Sequence, residues 1–184
     1  MWKVMMVAWI ALAATVQPAA AESGPVTPAT IQSCILAAAS AYREPAAILL
    51  ILLNVEGGTL GVVSQNTNGT VDIGPMQVNQ IWIPDVAAHW HATPHATYLA
   101  LRDSICANVE AGAWILRKGI DEAGGNFWEG VGIYHSHDPD YKRSYLRAVL
   151  GQALRLQALA RTETGPQAEH AASPQAGRTQ LAGN

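Results

Sequence analysis

A single glutamate stands at the end of an apolar stretch that has the composition of a buried helix. Glu56 follows Ala46–Val55, which carries no charge, and it precedes Gly57-Gly58. A carboxylate at a helix C-terminus faces the negative end of the helix dipole, and partial burial disfavours its charged form as well. Both effects favour a carboxylic acid that is still protonated near neutral pH, the state that a general acid requires. A solvated glutamate at a helix end is the alternative.

A second carboxylate follows in a short apolar and amide-rich segment. Asp72 lies in the run Val71–Asn79, whose letters are VDIGPMQVN. Two carboxylates that flank a cleft are the general apparatus of glycosidic-bond cleavage, one as proton donor and one as an anion facing an oxocarbenium-like centre. Acids at this spacing are common, so an Asp72 that only caps a turn is the alternative.

Helix and turn signals place these two acids in a mainly helical chain. Thr27-Pro28 predicts the start of a first helix, and Pro45 predicts the start of a second helix that reaches about Val55. The polar stretch that follows contains Asn68-Gly69, a strong hairpin-turn signal. The first part of the chain is therefore two helices and a small β-hairpin.

The rest of the chain continues the helical pattern. Five further segments carry helix signals: short helices from Pro84 and from Pro94, a long helix capped by Asp103 that ends at Gly124-Gly125, a helix over Phe127–Tyr134, and a last helix from Tyr141 to about Arg161. The predicted class is a mainly α single domain with a small β excursion after the second helix.

The two ends of the chain differ from its middle. Residues 1–21 have a basic start, an apolar stretch and an Ala19-Ala20-Ala21 end, which predicts a secretory signal peptide, with an uncleaved N-terminal anchor as the alternative. We expect no membrane span after signal cleavage. Residues 22–161 form the predicted domain, and residues 162–184 a disordered tail without an apolar face.

Composition excludes nucleic acid as a partner, and the predicted export affects how the two cysteines are interpreted. The chain is 49% hydrophobic and 14% charged, with a formal net charge of −3, so it lacks the excess of basic residues that nucleic-acid binders carry. Cys34 and Cys106 are an even number of cysteines in a chain predicted to reach an oxidising compartment. One disulfide is the expectation, and two buried free thiols are the alternative.

Several linked motifs, taken together, resemble a known family. The motifs are Glu56-Gly57-Gly58, the Asn66–Thr70 loop, the Asp72–Asn79 run and Tyr134. In this order they look like the catalytic domain of the soluble lytic transglycosylases, which is goose-type-lysozyme-like. The resemblance covers about residues 31–147 and is nearest to the small single-domain branch that accompanies conjugation, pilus and type III or IV secretion machines, which the cysteine pair also suits.

The resemblance implies a lysozyme-like α+β fold and a role for each matched residue. Glu56 would be the sole catalytic acid and base. Residues implied to contact sugar or to orient the site are Ser64, Gly74, Met76, Gln77, Asn79, Asn108 and Tyr134. The same stretch is also similar to C-type lysozyme, which would make Asp72 the anion opposite Glu56. Three residues depart from the family pattern, namely Gly57 for Ser, Pro75 for Leu and His135 for Asn.

The activity that the resemblance implies is cleavage of the β-1,4 bond between MurNAc and GlcNAc in peptidoglycan, leaving 1,6-anhydro-MurNAc ends. The family needs no metal or organic cofactor and works in the periplasm on glycan strands. A secretion, conjugation or pilus apparatus is the implied further partner. Two alternatives are a lysozyme-type hydrolase that uses Glu56 and Asp72, and a non-catalytic wall-binding assembly module.

Other residues carry weaker signals. Trp82 follows the Asn79 run and is a candidate for stacking on a sugar ring, with a core position as the alternative. His135 and His137 are candidates for the cleft, with a surface turn as the alternative. Lys142, Arg143 and Arg147 form a basic patch that could touch peptide carboxylates, or simply a solvated helix face.

Overall fold

A computed structural model of the protein describes residues 25–164. Within this range the chain forms seven α-helices and one small antiparallel sheet. The helices are Pro28–Tyr42 (α1), Ala46–Glu56 (α2), Ile83–Trp90 (α3), Pro94–Asp103 (α4), Ile105–Glu122 (α5), Phe127–His135 (α6) and Pro139–Thr164 (α7), and the strands are Val63–Gln65 (β1), Val71–Ile73 (β2) and Val78–Asn79 (β3). The predicted class, mainly α with a small β-hairpin after the second helix, is confirmed.

Helix α2 packs in the core and ends at Glu56. Its apolar residues Ile48, Leu49 and Leu52 are buried, and the helix packs against α1, α5 and α7. It ends at Gly57, which has a φ of 60° and whose N–H bonds to the carbonyl of Leu53. Glycine suits this left-handed position because it has no Cβ. Glu56 is therefore the last residue that the rigid helix holds in place.

The sheet follows α2 and is a three-stranded antiparallel meander in the order β1-β2-β3. Asn68 closes the first turn by accepting a hydrogen bond from the Thr70 N–H, and Gly69 takes a φ of 82°. In the sheet register Ser64 faces Asp72, and Asp72 faces Asn79. The hairpin is as predicted, whereas the two-residue β3 was not predicted because it is too short to show an alternating pattern.

Helix α5 forms the centre of the core. Val109, Ala111, Ala113 and Leu116 are fully buried, and the helix contacts α1, α2, α4 and α6. A disulfide between Cys34 and Cys106 links α1 to the first turn of α5.

The predicted cap of this long helix is wrong by one residue. Ser104, not Asp103, caps α5 by accepting a hydrogen bond from the Ala107 N–H. Asp103 instead ends α4, and its carboxylate pairs with the neighbouring Arg102 guanidinium at 2.7 Å.

The predicted terminal segments fall mostly outside the described residues. The signal peptide at 1–21 lies outside them, as does residue 165 onward of the predicted tail, while α7 continues to Thr164 and so passes the expected end at Arg161. Among residues 25–164 no helix is both long enough and apolar enough to cross a membrane.

Candidate active site

Glu56 lies in a surface cleft between the sheet, α5 and the C-terminal part of α6. The cleft holds a cavity of about 180 Å³. Its lining consists of amide, aromatic, imidazole and aliphatic side chains: Glu56, Gln77, Asn79, Ile81, Trp82, Ile115, Ile133, Tyr134, His135, Ser136 and His137. Amides and hydroxyls both donate and accept hydrogen bonds, and aromatic rings pack on apolar faces, so this lining suits a neutral polyol.

The surroundings of Glu56 favour the protonated form of its carboxyl. Burial raises its pKa to about 7, the nearby charge of Asp72 acts in the same direction, and the hydrogen bond from Tyr145 acts against both. The carboxyl therefore exchanges its proton close to neutral pH, which suits a general acid. The apolar helix before Glu56 predicts this burial, whereas no local pattern indicates the tyrosine.

Tyr145 is the site residue that the sequence did not reveal. It lies on α7, is buried, and its hydroxyl donates to Glu56 Oε1 at 2.5 Å. Its ring stacks on that of His135, with centroids 4.5 Å apart and 3° between the planes. In the sequence it reads only as one of the apolar positions of the last helix, so nothing but the tertiary fold shows that it meets an acid 89 positions earlier.

Tyr134 and His135 complete the wall beside Glu56. The Tyr134 hydroxyl donates to the carbonyl of Met76 at 2.9 Å. Burial raises the pKa of both Tyr134 and Tyr145, so both phenols stay neutral hydrogen-bond donors. Burial lowers the pKa of His135 although the charge of Asp72 acts against it, which favours a neutral imidazole.

Asp72 is fixed by two amides and does not line the cavity. Its Oδ2 accepts from Asn66 Nδ2 at 2.9 Å, and its Oδ1 accepts from Asn79 Nδ2 at 2.8 Å. Asn79 also donates to the Thr70 hydroxyl. Because both carboxylate oxygens have partners, Asp72 acts on the site mainly through its charge, and Asn79 is the residue between it and the cleft.

Three of the residues implied to contact or orient the substrate are buried. Asn108 accepts from the Met76 N–H at 2.7 Å and donates to the carbonyls of Ile73 and Leu101, both at 2.9 Å. The side chain of Met76 is fully buried against Gly112. Gly74 has a φ of 67°, and a Cβ there would lie 2.6 Å from the Asn108 amide nitrogen.

These contacts bear on the expected roles of Gly74 and Met76. Neither presents a side chain to sugar, because one has none and the other lies in the core, so their expected contact with sugar stays a prediction. Asn108 holds the turn 73–76 from beneath, and its expected role in orienting the site stays a prediction. Gln77 does reach the cleft, and its amide nitrogen donates to the Gly74 carbonyl at 2.8 Å.

The glycine pair after Glu56 allows this turn to lie close to the helix end. A Cβ on Gly58 would be 2.1 Å from the carbonyl oxygen of Gly74 and 2.4 Å from Gln77 Nε2. The Gly58 N–H instead bonds to the Pro75 carbonyl. Because Gly58 has no side chain, the Gly74–Gln77 turn can lie against the end of α2, next to Glu56.

The remaining candidates are divided between the cleft and the surface. Trp82, His135 and His137 line the cleft, and His137 also lies in the exposed bend between α6 and α7, so for this histidine both expectations hold. Ser64 is exposed on β1 and does not line the cavity, so its contact with sugar stays a prediction. Within the described part of the chain no group of three or more His, Cys, Asp or Glu side chains could hold a metal ion.

Comparison with protein-family models finds none that matches the chain, and comparison with curated proteins finds no match either.

Proposed function

We propose that this protein is a peptidoglycan lytic transglycosylase that cleaves the MurNAc–GlcNAc β-1,4 bond, with Glu56 as its acid and base. The observation that carries the proposal is the Glu56 carboxyl, whose pKa is raised to about 7 at the wall of a cleft lined by amides, hydroxyls and aromatic rings. The order of motifs from Glu56 to Tyr134 and their resemblance to the family support the choice of substrate.

The proposed reaction needs one carboxyl in two states. Protonated Glu56 gives its proton to the glycosidic oxygen as the bond from that oxygen to C1 of MurNAc breaks. The resulting carboxylate then accepts the proton of the MurNAc 6-hydroxyl as this oxygen bonds to C1 and closes the anhydro ring. No water is consumed, and Glu56 ends protonated as it began. The nucleophile belongs to the substrate, so it attacks at high effective concentration.

Asp72 and Tyr145 assist in this scheme. Asp72 places a negative charge near the cationic transition state, and its two amide partners donate to its oxygens and hold it in a fixed orientation. Tyr145 holds one oxygen of Glu56, which leaves the other oxygen for the proton transfers. The choice of a transglycosylase over a hydrolase in which Asp72 traps the cation rests on the resemblance.

A turnover assay tests the proposal. Purified residues 22–184 should clear cell-wall sacculi, and Glu56→Gln should lower the rate by about 10³-fold, since a positioned acid contributes roughly 10²–10⁴. Asp85→Asn, at an exposed carboxylate on α3, is the matched control and should remain active. Full activity of a folded Glu56→Gln protein would refute the enzyme; inactivity of the unaltered protein on sacculi would favour the non-catalytic wall-binding module.

The products separate the two enzymatic reactions. Mass spectrometry of the released fragments should find anhydro ends, which are lighter than reducing ends by one water. Asp72→Asn should slow the reaction by about tenfold, the effect of roughly 1.4 kcal/mol on a barrier. Wholly reducing ends, with Asp72→Asn as inactive as Glu56→Gln, would mean that the enzyme is a hydrolase.

The setting proposed for this activity is the periplasm. It rests on the signal-like residues 1–21 and on the resemblance to enzymes that open the wall locally for secretion, conjugation or pilus machines. Glycan strands are the substrate, and such an apparatus is the proposed partner. Cleavage of a reporter fusion at Ala21 on export, read by N-terminal sequencing, tests the location.

A further inference from the structure

The cleft that holds Glu56 continues into a second cavity. This distal cavity has a volume of about 300 Å³ and shares Trp82, Ile115, Ile133, Tyr134 and His137 with the first one. It adds charged residues of α5 that the catalytic scheme does not use: Lys118, Asp121 and Glu122. Ligand pockets start at roughly this size. A bound polymer that passes Glu56 and Trp82 has room to place a substituent here.

Lys118 is the free charge of the distal cavity. Asp121 is paired with the Arg117 guanidinium at 2.7 Å, and Glu122 is paired with His137 at 2.8 Å. In contrast, no carboxylate of residues 25–164 lies within ion-pair distance of the Lys118 ammonium. A histidine neutralises a carboxylate only when it is protonated, so the attraction of this cavity for an anion rests on the Lys118 ammonium alone.

The position of this cation is fixed by aromatic rings. The Lys118 Nζ lies over the Trp114 ring, 4.8 Å from its centroid. Trp114 is stacked on His89 at 4.7 Å and meets the edge of Trp82 at 6.2 Å. A cation over a tryptophan face keeps most of its water and its hydrogen-bond donors available. Lys118 is thus held next to Trp82, the ring at the junction of the two cavities.

The basic patch on α7 does not place a comparable cation in the cleft. Lys142 is paired with Glu129, and Arg143 is paired with Asp140. Both cations are therefore already matched within the fold, and none of Lys142, Arg143 and Arg147 lines either cavity. Contact of this patch with peptide carboxylates stays a prediction, and Lys118 is the lysine that lines the cavity itself.

We propose that Lys118 binds a carboxylate of the peptide carried by the glycan, so that the enzyme prefers strands whose peptide carboxylates are free to strands whose peptide carboxylates are amidated. This inference rests on the proposed function. In a peptide-bearing strand the sugars present hydroxyls and acetamides, because the lactyl carboxyl of MurNAc is held in the amide bond to the peptide, and the free carboxylates belong to the peptide. One exposed charge-assisted contact of this kind changes an affinity by about three- to tenfold. The preference should weaken as salt rises, because the cation is open to solvent.

The test compares two substrates and three variants. We expect kcat/KM on peptide-bearing glycan strands to exceed that on the same strands with their peptide carboxylates converted to amides by about three- to tenfold. Lys118→Met keeps the aliphatic stem on Trp114 but removes the charge, so the ratio should fall to about one. Lys118→Arg should restore it. Arg155→Met, the same charge change on an exposed part of α7, should leave the ratio as in the unaltered protein.

A binding arm keeps this inference separate from the proposed function. Calorimetry with folded Glu56→Gln should show tighter binding of a peptide-bearing disaccharide than of the same disaccharide with its peptide carboxylates amidated, with the difference lost when Lys118→Met is added. Lys118-dependent binding without any turnover would overturn the enzyme but support this contact. Equal affinity for the two disaccharides, or an unchanged preference in Lys118→Met, would overturn the contact even in an active enzyme.

Discussion

At the residue scale, burial of Glu56 disfavours its charged form, and this should lower the free energy of unfolding at high pH. Its pKa in the folded protein is about 7, against an ordinary value of 4.5. The folded state thus binds the proton more tightly than the unfolded state, so stability is fully present below pH 4.5 and is lost as pH rises through 7. At 1.36 kcal/mol per pKa unit, and with the carboxyl still in contact with cleft water, we expect a loss of about 2 kcal/mol.

Urea unfolding at two pH values measures this loss. Glu56→Gln carries no titrating group, so it should be more stable than the unaltered protein at pH 8 by about 2 kcal/mol and similar to it near pH 4.5. Asp85→Asn should show no such pH-dependent difference. If Glu56→Gln were equally stable relative to the unaltered protein at both pH values, Glu56 would not be a buried acid.

Tyr145 gives a second prediction at this scale. Its hydrogen bond lowers the pKa of Glu56 against the effect of burial. Tyr145→Phe should therefore raise that pKa, and the alkaline limb of the kcat/KM profile should move from near 7 to a higher pH, by about one unit. The rate at the optimum should drop about tenfold, because the carboxyl loses its fixed orientation.

A tyrosine on the same helix provides the control. Tyr141 is 63% exposed and lines neither cavity, so Tyr141→Phe should change neither the profile nor the rate. A Tyr145→Phe profile that keeps its alkaline limb in place would show that the phenol does not act on Glu56.

At the scale of elements, the Cys34–Cys106 bond ties α1 to the start of α5, which carries Asn108 beneath the Gly74–Met76 turn. The bond closes a long loop with a sequence separation of 72, so in the chain-entropy model it contributes roughly 4 kcal/mol. Thiol titration of denatured, unreduced protein should find no free thiol. Cys34→Ser/Cys106→Ser should unfold at clearly lower urea concentration, whereas two titratable thiols in the unaltered protein would show that the bond does not form.

At the scale of the whole molecule, one carboxylate joins three helices. Glu110 of α5 accepts hydrogen bonds from Tyr42 of α1 and from Trp90 Nε1 of α3, the latter at 2.6 Å, and it lies 3.4 Å from His89 Nε2. Glu110→Ala leaves the phenol and the indole N–H without their partner and should cost about 2–3 kcal/mol in urea unfolding. Glu110→Gln should recover part of this lost stability. If Glu110→Ala costs as little stability as the exposed control Asp85→Asn, Glu110 does not link the three helices.

The helices and the first hairpin follow from local sequence signals. Caps, prolines and glycines are local signals, so Thr27, Pro45 and Asn68-Gly69 place their elements correctly without knowledge of the rest. The apolar stretch before Glu56 also predicts a partly buried carboxyl, because burial of a helix follows from its own composition. The motif order suggests a resemblance to a family on its residues alone, and that resemblance stays a prediction.

Which side chains face the cleft depends on contacts between elements that are far apart in the sequence. The run Gly74–Gln77 reads as one motif, yet Met76 turns into the core and Gln77 to the cleft, because Asn108 and Tyr134 hold the turn from outside the segment. Tyr145 meets Glu56, and Lys118 keeps its charge free, only through packing of α7 and α5 against the site. These contacts join positions far apart in the chain, and no local pattern records them, since their energies depend on which helices become neighbours.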